Sequence, residues 1–180
     1  MVYGVKKAKL ENARSIEQYL ASNEVDASNV YYFKNINSFA NASEMKLVTF
    51  PNAFFYNKMG EFVSYHKDAT TCNAGVGDFI KDLENFNEIK VDKTQTIEKL
   101  EQLITNYKTD KVPLGDITVF ITFAKFAGAK LNREKAFEWV KLLDDAKKKG
   151  INVNYYLLNC DFQKEWNIAP ELYKKLGIKG

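Results

Sequence analysis

Two cysteines, one histidine and one short glycine-rich stretch are the residues of this chain whose types suit covalent, metal or phosphate chemistry. A thiol is a nucleophile only as thiolate. Cys72, in Thr71-Cys72-Asn73 just ahead of an apolar helical pattern, stands where exposed helix N–H groups favour an anion. Two readings of Cys72 follow: a small half-buried residue filling a cap position, or an activated nucleophile that forms a mixed disulfide or serves a single-thiol enzyme. Cys160 ends an apolar run and reads as structural. The two thiols lie far apart, with neither a disulfide framework nor a four-ligand metal spacing. Every metal site, Cys-His pair or Ser-His-Asp triad has to run through His66, which alternates with Ser64 and Phe62 and reads as a rim residue without supporting neighbours. Asn73-Ala74-Gly75-Val76-Gly77 contains G-x-G but follows a hairpin pattern and lacks a third glycine and a later acidic partner, so no dinucleotide site is expected. Neither a metal nor a cofactor is expected.

The 180 residues make one domain's worth of chain, and 46% hydrophobic with 27% charged residues, 9 Gly and 3 Pro is the balance of a folded globular protein. The formal charge is only +3, and Arg14 and Arg133 are the sole arginines, so bidentate phosphate or base readout lacks side chains and nucleic acid is not an expected partner. No apolar run reaches the ~18 residues of a membrane span. Met1 to Lys9 has no basic stretch followed by an apolar segment; it reads as an extended lead-in, or as the stub left after a removed precursor segment.

The elements that must position these residues follow from periodicity. Ser15 and Gln18 have capping-box spacing for a helix to about Ser22. Asn29 to Lys34 reads as a strand, and Ser38 to Met45 as a weaker helix. Leu47 to Asn57 and Glu61 to His66 read as a β-hairpin turning at Asn57 to Gly60, with Pro51 at its start where a missing N–H costs least. Phe79, Ile80, Leu83 and Phe86 place a helix from about Ala74 to Phe86. Ile97, Leu100, Leu103, Ile104 and Tyr107 form a helical stripe within 91–116, read as a helical crossover. Ile117 to Phe126 is apolar at nearly every position and reads as a central strand covered on both faces. Leu131 to Lys149 is a long helix, Val153 to Leu158 a second apolar strand, and Pro170 to Leu176 a short helix ended by Gly177. Tyr31-Tyr32-Phe33 and Phe54-Phe55-Tyr56 must send alternate rings to opposite faces of a sheet.

Phe123-Ala124-Lys125-Phe126-Ala127-Gly128-Ala129-Lys130 resembles the place in the thioredoxin family where a strand enters the redox helix through an aromatic-Ala-x-aromatic-Cys-Gly-x-Cys pattern. Asn159-Cys160-Asp161 and Tyr173 to Gly180 resemble the approach to that family's cis-proline strand. The remainder stands earlier in the chain: Phe50-Pro51-Asn52-Ala53-Phe54-Phe55-Tyr56-Asn57-Lys58-Met59-Gly60-Glu61 is similar to the cis-proline strand, turn and next strand. The resemblance implies an α/β fold, a three-layer thioredoxin-like mixed sheet flanked by helices. It is either circularly permuted within one chain or completed by two chains exchanging halves. The whole of 1–180 is then a single domain: 1–90 carries the hairpin half, 91–116 the crossover and 117–180 the strand-helix-strand-helix half. The strand at Asn29 to Lys34 would be an edge. A looser likeness to thioredoxin-like lipoproteins of bacterial cell envelopes implies a periplasm-facing location.

By the same resemblance the dithiol positions hold Ala127 and Lys130, and Ile121 stands where the family often buries a carboxylate. Dithiol redox chemistry is therefore not expected. Lys130 and the amides near Ala127 to Ala129 are candidates to hold an anion at the helix start. The implied ligand surface is the sheet end formed by Phe50, Pro51, Thr71, Cys72, Ala127, Gly128, Ala129 and Lys130. The expected function is non-catalytic binding or scaffolding, with an extended peptide or protein as partner and a monomer or half-swapped homodimer as the assembly.

Overall fold

Ile117–Phe123 carries seven residues without a polar break except Thr118 and Thr122, and all seven are buried. A strand that apolar needs a partner on each edge and a layer on each face. The computed structural model, which describes residues 7–65, 75–109 and 111–179, supplies both.

In chain order the first elements are α1 (Ala13–Ala21), β1 (Val30–Phe33), α2 (Ile36–Glu44), β2 (Asn52–Asn57), β3 (Glu61–Val63) and α3 (Val76–Lys81). A 3-10 segment (Leu83–Glu88) leads to β4 (Val91–Thr96), α4 (Ile97–Glu101) and β5 (Ile104–Thr105). Then come β6 (Ile117–Phe123), α5 (Ala129–Leu131), a π-helical turn (Asn132–Ala136), α6 (Phe137–Lys148), β7 (Val153–Asn159) and α7 (Tyr173–Leu176). The seven strands form one mixed sheet in the order β4-β3-β2-β6-β7-β1-β5. β6 runs parallel to β7 and antiparallel to β2, with Ala53 opposite Ile121 and Phe54 opposite Phe120. The proline-led hairpin and the late strand-helix-strand unit thus share a sheet within one chain. This is an α/β fold with a mixed sheet flanked by helices, in a thioredoxin-like arrangement.

Alternation along the strands sets the layers. Val30, Tyr32, Ala53, Phe55, Val119, Ile121 and Leu157 join one core with α1, α3 and α6 through Ile16, Leu20, Ile80, Phe137 and Val140. Tyr31, Phe33, Phe54, Tyr56, Phe120 and Leu158 face the other core, which Ala42 of α2, Trp166 and Ile178 close. Both aromatic triplets therefore feed both faces, as the strand period requires.

Local differences from the sequence reading have physical causes. Asn12, not Ser15, caps α1; its side chain accepts from the Ser15 amide while Ser15 Oγ accepts from the Asn12 amide, a reciprocal box one turn earlier. Within 91–116, expected to be a helical crossover, the α-helix covers only Ile97–Glu101 and is flanked by strands. Val91 to Thr96 pairs with β3, and after α4 the Leu103 carbonyl accepts from the Lys34 amide, drawing Ile104 out of the helix to pair with Phe33. Tyr107 leaves the stripe at φ 63° and is exposed. β1 is consequently not an edge, because β5 covers it. The helix expected over 74–86 stops at Lys81 and continues as the 3-10 segment. No helix among the described residues is long and apolar enough to cross a membrane.

Candidate functional site

The turn after β6 and the loop before β2 are brought together by β-pairing and by one threonine. Thr122 Oγ1 donates to the Thr49 carbonyl (2.6 Å) and accepts from the Asn52 amide (2.8 Å), clamping residues 49–52 onto β6. Asn52 Oδ1 accepts from the Tyr65 hydroxyl (2.9 Å), tying the same loop to the end of the hairpin. Between Thr49 and Asn52 the Phe50-Pro51 peptide is cis. The Phe50 ring stands edge-on to Phe126 at 5.1 Å between centroids, and Phe126 stacks near Phe162 at 6.4 Å. Edge-to-face pairs at this spacing are attractive beyond their buried area.

Beneath that turn sits a buried carboxylate that the sequence reading did not single out as a site residue. Asp161 accepts from the Lys125 amide (2.8 Å), the Phe126 amide (3.4 Å) and Asn159 Nδ2 (2.8 Å). Desolvation by burial pushes its carboxyl up to about 6, against the pull of the Lys125 amide and Asn159 and with a smaller push from the Glu11 charge. Ile121, the position where the resemblance led one to look for such a group, lies wholly within the apolar core. The carboxylate instead comes from the loop after β7.

A cavity of about 260 Å³ opens beside this turn, lined by Lys7, Lys9, Glu11, Tyr19, Lys125, Phe126, Ala129 and Asp161. Its outer wall is the N-terminal lead-in, held down by a backbone bridge from Ala8 to Ile178 and by the Glu11 amide donating to the Phe162 carbonyl (2.8 Å). Glu11 Oε2 accepts from Lys125 Nζ at 2.7 Å and from Ser15 Oγ at 2.6 Å. The Tyr19 hydroxyl accepts from Asn132 Nδ2 (2.9 Å), and burial raises its pKa above the ordinary phenol value. A larger hollow of about 850 Å³ is lined by Tyr65, Phe79 and Ile89 among others; none of the expected surface residues that are described lines it.

Of the expected surface residues, Phe50 touches Phe126, a residue not among them that directly precedes Ala127; Pro51 stands in the clamped loop; Ala127 and Gly128 are buried in the turn; Ala129 borders the cavity. Of the amides expected to hold an anion there, those of Ala127 and Gly128 are already engaged, donating to the Ala124 and Lys125 carbonyls. Lys130 is half exposed and pairs with Glu134 at 3.7 Å. Thr71 and Cys72, with His66 and the start of the glycine-rich stretch, lie outside the described residues. Cys160 is fully buried and its thiol pKa is pushed well up, as burial dictates for a structural cysteine.

Glu11, Tyr19, Lys125 and Asp161 are the site residues missed in the sequence. The signal was present in Asn159, Asp161 and Gln163, three polar residues two apart, which continue the strand period past the end of β7 and stay buried. Comparison with known proteins finds no family model, no curated protein and no solved structure that matches the chain.

Proposed function

We propose that the protein is a thioredoxin-like binding or scaffold module without dithiol chemistry, and that it holds an extended peptide segment at the sheet end where the proline loop meets the turn after β6. The observation that carries this reading is the 5.1 Å contact of Phe50 with Phe126, which joins the two segments of the expected surface on one chain. Both rings are only partly buried, leaving apolar area for a partner. By the resemblance, Ala127 and Lys130 stand where a dithiol would be, which supports a surface that offers shape and apolar contact in place of thiol exchange. Peptide recognition of this kind draws affinity from main-chain pairing and selectivity from side-chain contacts.

The test is selection of binders from a library of extended peptides displayed against the whole chain. Selected peptides should lose affinity on Phe50→Ala and keep it on Cys72→Ser. Equal binding to the Phe50→Ala variant would remove the reading. Binding that vanishes in Cys72→Ser, together with a mass adduct on Cys72, would replace it with single-thiol chemistry.

A further inference from the structure

The cavity beside Asp161 has an uneven balance of hydrogen-bonding capacity. Both Asp161 oxygens already accept, from two backbone amides and Asn159, and Glu11 Oε2 accepts from Lys125 and Ser15; Glu11 Oε1 is the carboxylate oxygen lining the cavity that has no hydrogen bond among the described residues. Tyr19 accepts from Asn132, and the orientation of that amide is fixed because the same Nδ2 also donates to the Ala124 carbonyl at 2.9 Å. The Tyr19 O–H proton is thereby left to donate. An ammonium carries three donors, of which Lys125 spends one on Glu11. Lys7 and Lys9 are exposed on the cavity wall and enter no ion pair among the described residues. The two buried acceptors without a partner, Asn132 Oδ1 and Gln163 Oε1, belong to residues that do not line the cavity.

Among the described side chains lining the cavity, donors therefore remain on one phenol O–H and three ammonium groups, one of them already paired with Glu11, against one carboxylate oxygen without a partner. Three lysines also outweigh Glu11 and Asp161 in charge. A volume of about 260 Å³ falls below the roughly 300 Å³ at which pockets for drug-sized ligands begin, so the occupant is small or is one end of a larger molecule. We infer that this cavity is a carboxylate-binding site, in which Tyr19, Lys9 and Lys125 receive either a free small organic acid or an acidic side chain of a peptide. The site stands independently of the peptide surface at Phe50, although Phe126 borders both.

The experiment is titration of the whole labelled chain with succinate, with an acidic peptide, and with sodium chloride at matched ionic strength, followed by NMR at Tyr19 and at the lysine side chains. Succinate should shift Tyr19, Lys9 and Lys125 in a saturable way, with affinity falling about tenfold in Tyr19→Phe, the loss of one hydrogen bond to a charged group. Lys9→Gln should weaken binding several-fold, and Lys141→Gln, on the exposed face of α6, should leave it unchanged. Saturable shifts at these residues with the peptide but not with succinate assign the carboxylate to a peptide. Shifts that chloride reproduces, or none in either arm, overturn the inference. Retention of the succinate shifts in Phe50→Ala, whatever becomes of library peptides, separates this site from the peptide surface.

Discussion

Asp161 makes the sharpest energetic prediction, because a buried acid under a backbone turn must leave its mark on the pH dependence of folding. Burial pushes its carboxyl from the ordinary 3.8 up to about 6 in the folded protein. The native state therefore holds this proton more tightly than the unfolded chain. The stabilisation from protonating it is present in full below the ordinary value and is lost as pH rises through about 6. The whole gap corresponds to about 3 kcal/mol, of which about 1.3 kcal/mol falls between pH 7 and pH 5. Asp161→Asn keeps the shape and cannot titrate. Urea unfolding of both proteins across this range cancels the carboxylates they share. The stability of the wild type relative to the variant should grow by about 1.3 kcal/mol from pH 7 to pH 5. Parallel profiles would refute the burial argument, and a relative loss on acidification would show that the carboxylate is stabilised in the fold.

Four further outcomes follow from single residues. Glu101 accepts from the buried Val112 amide at 2.7 Å, so Glu101→Ala should cost about 1–3 kcal/mol in urea unfolding. Lys111→Ala, at the exposed end of the same ion pair, should cost less than about 1 kcal/mol. Gly60 closes the hairpin at φ 75°, and an added Cβ would stand 2.7 Å from Ile97 Cγ2, so Gly60→Ala should lower stability by more than about 1 kcal/mol; an unchanged Tm would contradict that approach. In a Cys72→Ser background, Cys160 should resist a thiol reagent at neutral pH until the chain unfolds, and rapid native labelling would contradict its burial.

The strands of the central sheet were legible because their information is local. Ile117 to Phe123 is apolar at every position but Thr118 and Thr122, and the triplets at Tyr31 and Phe54 alternate faces, so a central position and a two-sided core follow from the strand period alone. The hairpin was legible from Asn57 to Gly60, where Asn57 Oδ1 accepts from the Met59 and Glu61 amides to close the turn. The meeting of Phe50 with Phe126 was legible only through a family pattern, since nothing local links the two. The stretch at Ile97 misled because its stripe fits a helix, whereas the free edge of β1 offered Ile104 a better set of partners. The charged half of the site stayed hidden for a related reason. The strand period reaches Asp161 and Gln163, but nothing local shows that the N-terminal lead-in, from the other end of the chain, lays Glu11 over them.

The hairpin and the late strand-helix unit form one sheet within one molecule, and the surface at Phe50 exists only because they do. Isotope-filtered NOE spectra on a mixture of labelled and unlabelled chains test that directly. Contacts between the Phe50 and Phe126 rings, and cross-strand contacts between Phe54 and Phe120, should arise within single labelled chains. Their absence, or their appearance only between labelled and unlabelled chains, would contradict the shared sheet and remove the surface built on it.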